Sequence, residues 1–119
     1  MPNPIIGYAG LTHLGLTSAA AAADKGFEVI GFHDDASYVS AINEGKLPIT
    51  EPGLNELVEK NKARLTFSDD AKSLSRCDLV YISVDVPTDD HGNSDLTPIN
   101  KMITASEAVM QPGALLIIL

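Results

Sequence analysis

Short apolar runs alternate with helix-patterned stretches along the chain, and few folds satisfy such an alternation. Ile5, Ile6 and Tyr8 read as a first strand. Helical composition follows from about His13 to Lys25, with Gly26 as its stop. Residues 28–33 (Glu-Val-Ile-Gly-Phe-His) read as a second strand and residues 37–43 as a short helix, with Gly45 after it. The i, i+3, i+4 spacing of Leu54, Leu57 and Val58 marks one face of another helix. Residues 65–67 form a brief strand, residues 71–74 a brief helix behind Ser68 and Asp69, and residues 79–84 a largely apolar strand. After a polar loop over 85–95, residues 99–110 carry a last helix that Pro112-Gly113 ends, and residues 115–119 are a final apolar strand. Strands separated by helices pair in parallel through right-handed crossovers, and near-continuous apolar strands belong in a sheet covered on both faces. The expected fold is therefore α/β, a doubly wound parallel sheet of about five strands in the order 3-2-1-4-5.

A chain of 119 residues holds one domain. Natural domains seldom end inside an apolar strand, so a piece of a longer protein is expected. The formal net charge of −8 repels phosphate backbones and anionic lipid, which argues against nucleic acid and membrane surfaces as partners. Cys77 is the only cysteine, so no internal disulfide forms, and a reduced, cytoplasmic setting is expected. Residues 1–4 lack the basic region of a secretory leader, and neither apolar run (19–23, 114–119) approaches membrane-spanning length. His13, His33 and His91 have no metal-like spacing.

The first strand runs into Gly10-Leu11-Thr12-His13-Leu14-Gly15, a G-x-G-x-x-G frame with threonine in the middle. In that Rossmann-type frame the first glycine permits the tight turn, the second lets backbone approach a pyrophosphate, and the third lets the helix pack on the sheet. The helix N-terminus offers N–H groups and partial positive charge to phosphate. The Thr12 side chain fills space the pyrophosphate would use, or its hydroxyl donates to a phosphate oxygen. The alternative is a tight turn that does not bind. About twenty residues beyond the glycines an acid usually holds the adenosine ribose. Here His33 stands at that position, followed by Asp34 and Asp35. A neutral His33 can accept from a ribose hydroxyl, Asp34 can take over that contact, or the acids with Ser37 cap the next helix. No Arg or Lys occurs among residues 33–38, so NAD is expected over NADP. Protonation of His33 would soften that bias, raising NADP affinity as pH falls.

Gly45-Lys46-Leu47-Pro48-Ile49-Thr50-Glu51-Pro52-Gly53-Leu54 is more specific. It resembles the G-K-x-P-I-x-E-P-G-L segment of the UDP-glucose/GDP-mannose dehydrogenase family. Leu65-Thr66-Phe67-Ser68-Asp69-Asp70, residues 78–84, the Thr88-Asp89…Gly92…Asp95-Leu96 loop and Gln111-Pro112-Gly113-Ala114 resemble that family's pieces in the same order. The resemblance implies a single NAD-binding Rossmann domain over residues 1–119, part of an enzyme that oxidises a sugar C6 hydroxyl to a carboxylate in two NAD-dependent steps. It places Ser68 and residues 84–86 (Val84, Asp85, Val86) beside the cofactor, where Asp85 either adds a charge near the nicotinamide or is a solvated loop residue. A family threonine falls on Val86 and loses its hydroxyl, and a family tyrosine falls on His13. The family's cysteine nucleophile, catalytic lysine and asparagine, dimerisation helix and sugar-binding domain would lie beyond residue 119. No catalytic residue is therefore assigned here. Nucleotide-sugar binding and a homodimer would belong to the full-length protein. Cys77 reads as a small buried residue, not a substitute nucleophile. A non-catalytic nucleotide-binding or interaction module is the competing reading.

Overall fold

The computed structural model describes residues 3–48, 51–84, 91–92 and 95–118. Five strands, β1 (Ile5–Ala9), β2 (Glu28–Phe32), β3 (Leu65–Ser68), β4 (Leu79–Ile82) and β5 (Leu115–Ile118), form one sheet in the order β3-β2-β1-β4-β5. Every pairing is parallel, and Ile6 sits between Val29 of β2 and Leu79 of β4. The chain leaves β1 towards β2 and later crosses to β4 on the other side. The carboxyl ends of β1 and β4 thus flank the point where the winding reverses, which is where open α/β sheets hold ligands.

Strand periodicity distributes the core. Val29 enters a cluster with Leu16, Ala19, Ala20 and Ala23 of α1 (His13–Asp24), while its neighbour Ile30 enters the opposite cluster with Leu74, Cys77, Ile82 and Met102. The first face also carries α2 (Ala36–Asn43) and α3 (Leu54–Lys60); the second carries a 3₁₀ segment (Ala71–Arg76) and α4 (Thr97–Glu107). Three buried alanines let α1 lie close to the sheet. Gly26, at φ 103°, ends it by donating its N–H to the Ala23 carbonyl. Among the described residues no helix is long and apolar enough to cross a membrane.

Element boundaries differ from the sequence expectation where a side chain intervenes. α2 starts at Ala36 because the Asp35 carboxylate accepts from the Ser37 and Tyr38 N–H groups. The 71–76 segment winds as 3₁₀ helix, with Asp70 rather than Asp69 as its cap, accepting from Lys72 N. α4 begins two residues before Ile99: Pro98 occupies its first turn, and Asp95 accepts from Thr97 N at 2.9 Å.

Candidate functional site

The glycine loop is built by backbone crowding. Gly10 adopts φ 107°, donates its N–H to the Phe32 carbonyl at 2.8 Å, and has the Ser83 carbonyl 2.8 Å from where a Cβ would stand. At Gly15 a Cβ would run into the Gly10 carbonyl oxygen and lie 2.6 Å from Ser83 Oγ. Ser83, buried at the end of β4, donates its hydroxyl to the Gly10 carbonyl at 2.8 Å. It ties the two strands that flank the crevice. Sequence reasoning passed over Ser83, although a hydroxyl inside an apolar strand must find a partner when buried.

Leu11 is held from both sides. Its N–H donates to His33 Nδ1 at 3.0 Å, and its carbonyl accepts from the Tyr38 hydroxyl at 2.7 Å. The His33 and Tyr38 rings stack at 4.1 Å, and the Leu11 side chain is fully buried. A neutral imidazole that accepts at Nδ1 carries its proton on Nε2. Towards a ligand, then, His33 presents a donor and not the acceptor expected from the sequence. Burial lowers the His33 pKa, with Asp34 and Asp35 pulling it the other way. The softening of NADP repulsion expected on protonation thus needs more acid than a free histidine would, and comes only with loss of the Leu11 bond.

Thr12 sits at the N-cap of α1 in extended backbone (φ −78°), where any residue fits, and makes no side-chain capping bond. Its hydroxyl donates at 3.5 Å to the Ser83 carbonyl. The first turn of α1 therefore keeps unbonded N–H groups beside the loop, an arrangement suited to an anion.

A cavity of about 600 Å³ opens over the winding reversal. The loop contributes Gly10 and Thr12, the end of β2 gives Phe32, His33 and Asp34, and Val84 follows from β4. The far wall is α4 and its approach: Asp95, Thr97, Pro98, Lys101, Met102 and Ala105. Its walls are mainly apolar with a few polar groups, and its volume suits an adenosine-sized ligand. Lys101 faces this cavity from a helix some seventy residues beyond Asp34, and no local pattern announced it.

The expected site residues do not all gather there. Asp35 is occupied as the α2 cap; the bonds from the Ser37 side chain and the Tyr38 N–H hold its carboxyl below the usual range. Asp34 alone of the pair lines the cavity. Ser68 turns its hydroxyl to Asp70 N at 3.0 Å, and its carbonyl accepts from His33 N. His13 and Leu14 are exposed and do not line the cavity; His13 Nε2 lies 3.4 Å from Glu51 Oε2. Asp85 and Val86, with positions 49–50, 87–90 and 93–94 of the segments quoted above, lie outside the described residues. Cys77 is buried, and desolvation pushes its thiol up to about 11, so it offers no thiolate. Among the described residues no group of three or more His, Cys, Asp or Glu side chains is placed to hold a metal ion.

Residues 5–119 match the UDP-glucose/GDP-mannose dehydrogenase family, NAD binding domain. The chain is 40% identical over 95 residues to the UDP-glucose 6-dehydrogenase TuaD of Bacillus subtilis, covering 77% of this chain and 21% of that protein. It is 36% identical over 91 residues to the GDP-mannose 6-dehydrogenase of Pseudomonas syringae, covering 73% and 20%. A ternary complex of GDP-mannose dehydrogenase from Pseudomonas aeruginosa superposes with a TM-score of 0.86 at 28% identity, covering 95% of this chain and 27% of that one. The chain thus spans about a fifth of the length of these curated relatives.

Proposed function

Since the chain belongs to the UDP-glucose/GDP-mannose dehydrogenase family, as its NAD-binding domain, we propose that residues 1–119 form the cofactor-holding domain of a longer, cytoplasmic nucleotide-sugar 6-dehydrogenase. The observation that carries this is the glycine cradle of Gly10 and Gly15 opening onto the cavity at the winding reversal. The residues fit a dinucleotide. Residues 10–15 and the first turn of α1 take the pyrophosphate, and Phe32, Val84 and Met102 give an apolar bed for adenine. Asp34 accepts from the ribose hydroxyls, while His33 donates through Nε2. Val84 leads on to Asp85 and Val86, which are assigned to the nicotinamide side. NAD, when bound, accepts hydride. This chain's own residues bind and orient it, and the oxidation of a sugar C6 hydroxyl, sugar binding and dimerisation fall to further domains.

The Thr12 side chain on the cavity wall favours a second reading, a module that keeps the fold without binding dinucleotide. Calorimetric titration of the purified chain with NAD, ADP-ribose, UDP-glucose and GDP-mannose separates the two. NAD and ADP-ribose are expected to bind, the nucleotide sugars alone are not, and no NADH is expected to form. Absence of binding by both NAD and ADP-ribose would select the second reading, and NADH production would overturn the assignment of catalysis to other domains.

A further inference from the structure

The residue at the end of β2 does more than face the cavity. Leu11 lies between the two glycines of the cradle, and the orientation of the peptide groups on either side of it sets where the adjoining N–H groups point. Nothing in β1 or α1 bonds its two backbone groups: the Leu11 N–H donates to His33 Nδ1 and the Leu11 carbonyl accepts from the Tyr38 hydroxyl, 22 and 27 residues away in sequence. Tyr38 in turn stacks on the His33 ring, so the two side chains that hold Leu11 also touch each other.

We infer that His33 is the positioning residue of the dinucleotide loop: its neutral ring, by accepting the Leu11 N–H, fixes residues 10–12 in their binding shape, and its protonation releases them. This inference rests on the reading that the loop holds NAD. The chemistry is a clash of donors. Imidazolium carries N–H on both nitrogens, so Nδ1–H would face the Leu11 N–H and the bond is lost. The groups facing His33 are Asp34 and Asp35 on its own segment, Tyr38 from α2, the Ser68 carbonyl from β3 at the backbone, and Asp95 and Lys101 across the cavity. The two nearby carboxylates favour protonation and burial opposes it more strongly. With the folded value below the unfolded one, the unfolded chain binds the proton first. The stability linked to keeping the buried ring neutral is complete above an ordinary histidine pKa of about 6.5 and is lost as pH falls from there through the lower folded value.

The test uses the whole chain, labelled with ¹⁵N, and NAD as the probe. Without ligand, the His33 ring is expected to show an unprotonated Nδ1 at about pH 8, and the Leu11 amide resonance to titrate together with the ring. Calorimetry should show NAD affinity falling about tenfold once the ring is protonated, the equivalent of one lost hydrogen bond. His33→Asn places a carboxamide oxygen where Nδ1 stands, and should bind NAD with an affinity that changes little with pH. His33→Ala should bind weakly at every pH. A proton on Nδ1 in neutral solution, or a Leu11 amide indifferent to the ring, would overturn the inference, and this arm stands even if a variant fails to fold. A wild-type affinity that stays flat while Leu11 titrates would overturn the link to binding. Intact ring and amide behaviour with no NAD binding at any pH would instead sink the cofactor reading on which that link depends.

Discussion

Gly15→Ala should unfold the site from within, although an alanine is the better helix former. Gly15 lies in the first turn of α1, where alanine alone would gain about 1 kcal/mol over glycine. The new methyl, however, meets the Gly10 carbonyl oxygen and sits 2.6 Å from Ser83 Oγ. Neither is the yielding tip of a long side chain. For α1 to retreat, Gly10 must move, and Gly10 is held by its N–H bond to Phe32 O at 2.8 Å and by the Ser83 hydroxyl at 2.8 Å. Overpacking costs about 1–3 kcal/mol or more, and the two strained hydrogen bonds add about 1 kcal/mol each. Less the helix gain, the net loss is about 2–4 kcal/mol, a large share of a stability on the order of 10 kcal/mol. Urea unfolding followed by circular dichroism measures it, with NAD binding expected to vanish alongside. A loss below about 1 kcal/mol with binding retained would refute the close approach as the reason for glycine at this position.

Thr12→Gly should tighten NAD binding about tenfold by clearing the cavity wall, at a cost of a few tenths of a kcal/mol at the helix cap; equal affinities by calorimetry would clear Thr12 as an obstacle. Ser106→Ala should stabilise the chain by about 1 kcal/mol, because the buried Ser106 Oγ has no hydrogen-bond partner among the described residues; a destabilised variant in urea would mean the hydroxyl has a role. Cys77 should resist a thiol-specific reagent in the native chain and react on unfolding, since burial raises its thiol to about 11; rapid native labelling would contradict this. NAD should bind at least about tenfold tighter than NADP at about pH 8, through repulsion of the 2′-phosphate by Asp34 and Asp35, and Lys101→Glu should widen the gap. Tighter NADP binding would sink the placement of the ribose at the end of β2.

The parts of the molecule legible in the sequence are those set by local periodicity. Val29 and Ile30 face opposite clusters because a strand alternates, and the Gly10 and Gly15 spacing marks a strand-to-helix turn. Which of Asp34 and Asp35 would cap α2 was not legible, since either can reach a first-turn N–H; the backbone turn after β2 decides it in favour of Asp35. The donor character of His33 was invisible for a different reason. It depends on a Leu11 amide brought to it only by strand pairing. The α4 start was present in Pro98 and Asp95, but the apolar positions begin only at Ile99 and put the helix start there. Lys101 reaches the cavity through the packing of α4, which no short window encodes.

The helix that follows the glycine loop and the helix that walls the cavity are held to the sheet unequally. α1 buries Gly15, Leu16, Ala19, Ala20 and Ala23, whereas α4 buries only Met102 and Ser106, the second with its hydroxyl unsatisfied among the described residues. Local opening therefore costs less on the α4 side, and its amides should exchange with solvent faster than those of α1. A dinucleotide lying in the cavity gives α4 anchorage that its own packing does not provide. Mass action then draws the open population closed. Slowed exchange in α4 becomes the most sensitive sign of occupancy, ahead of any change in the glycine loop.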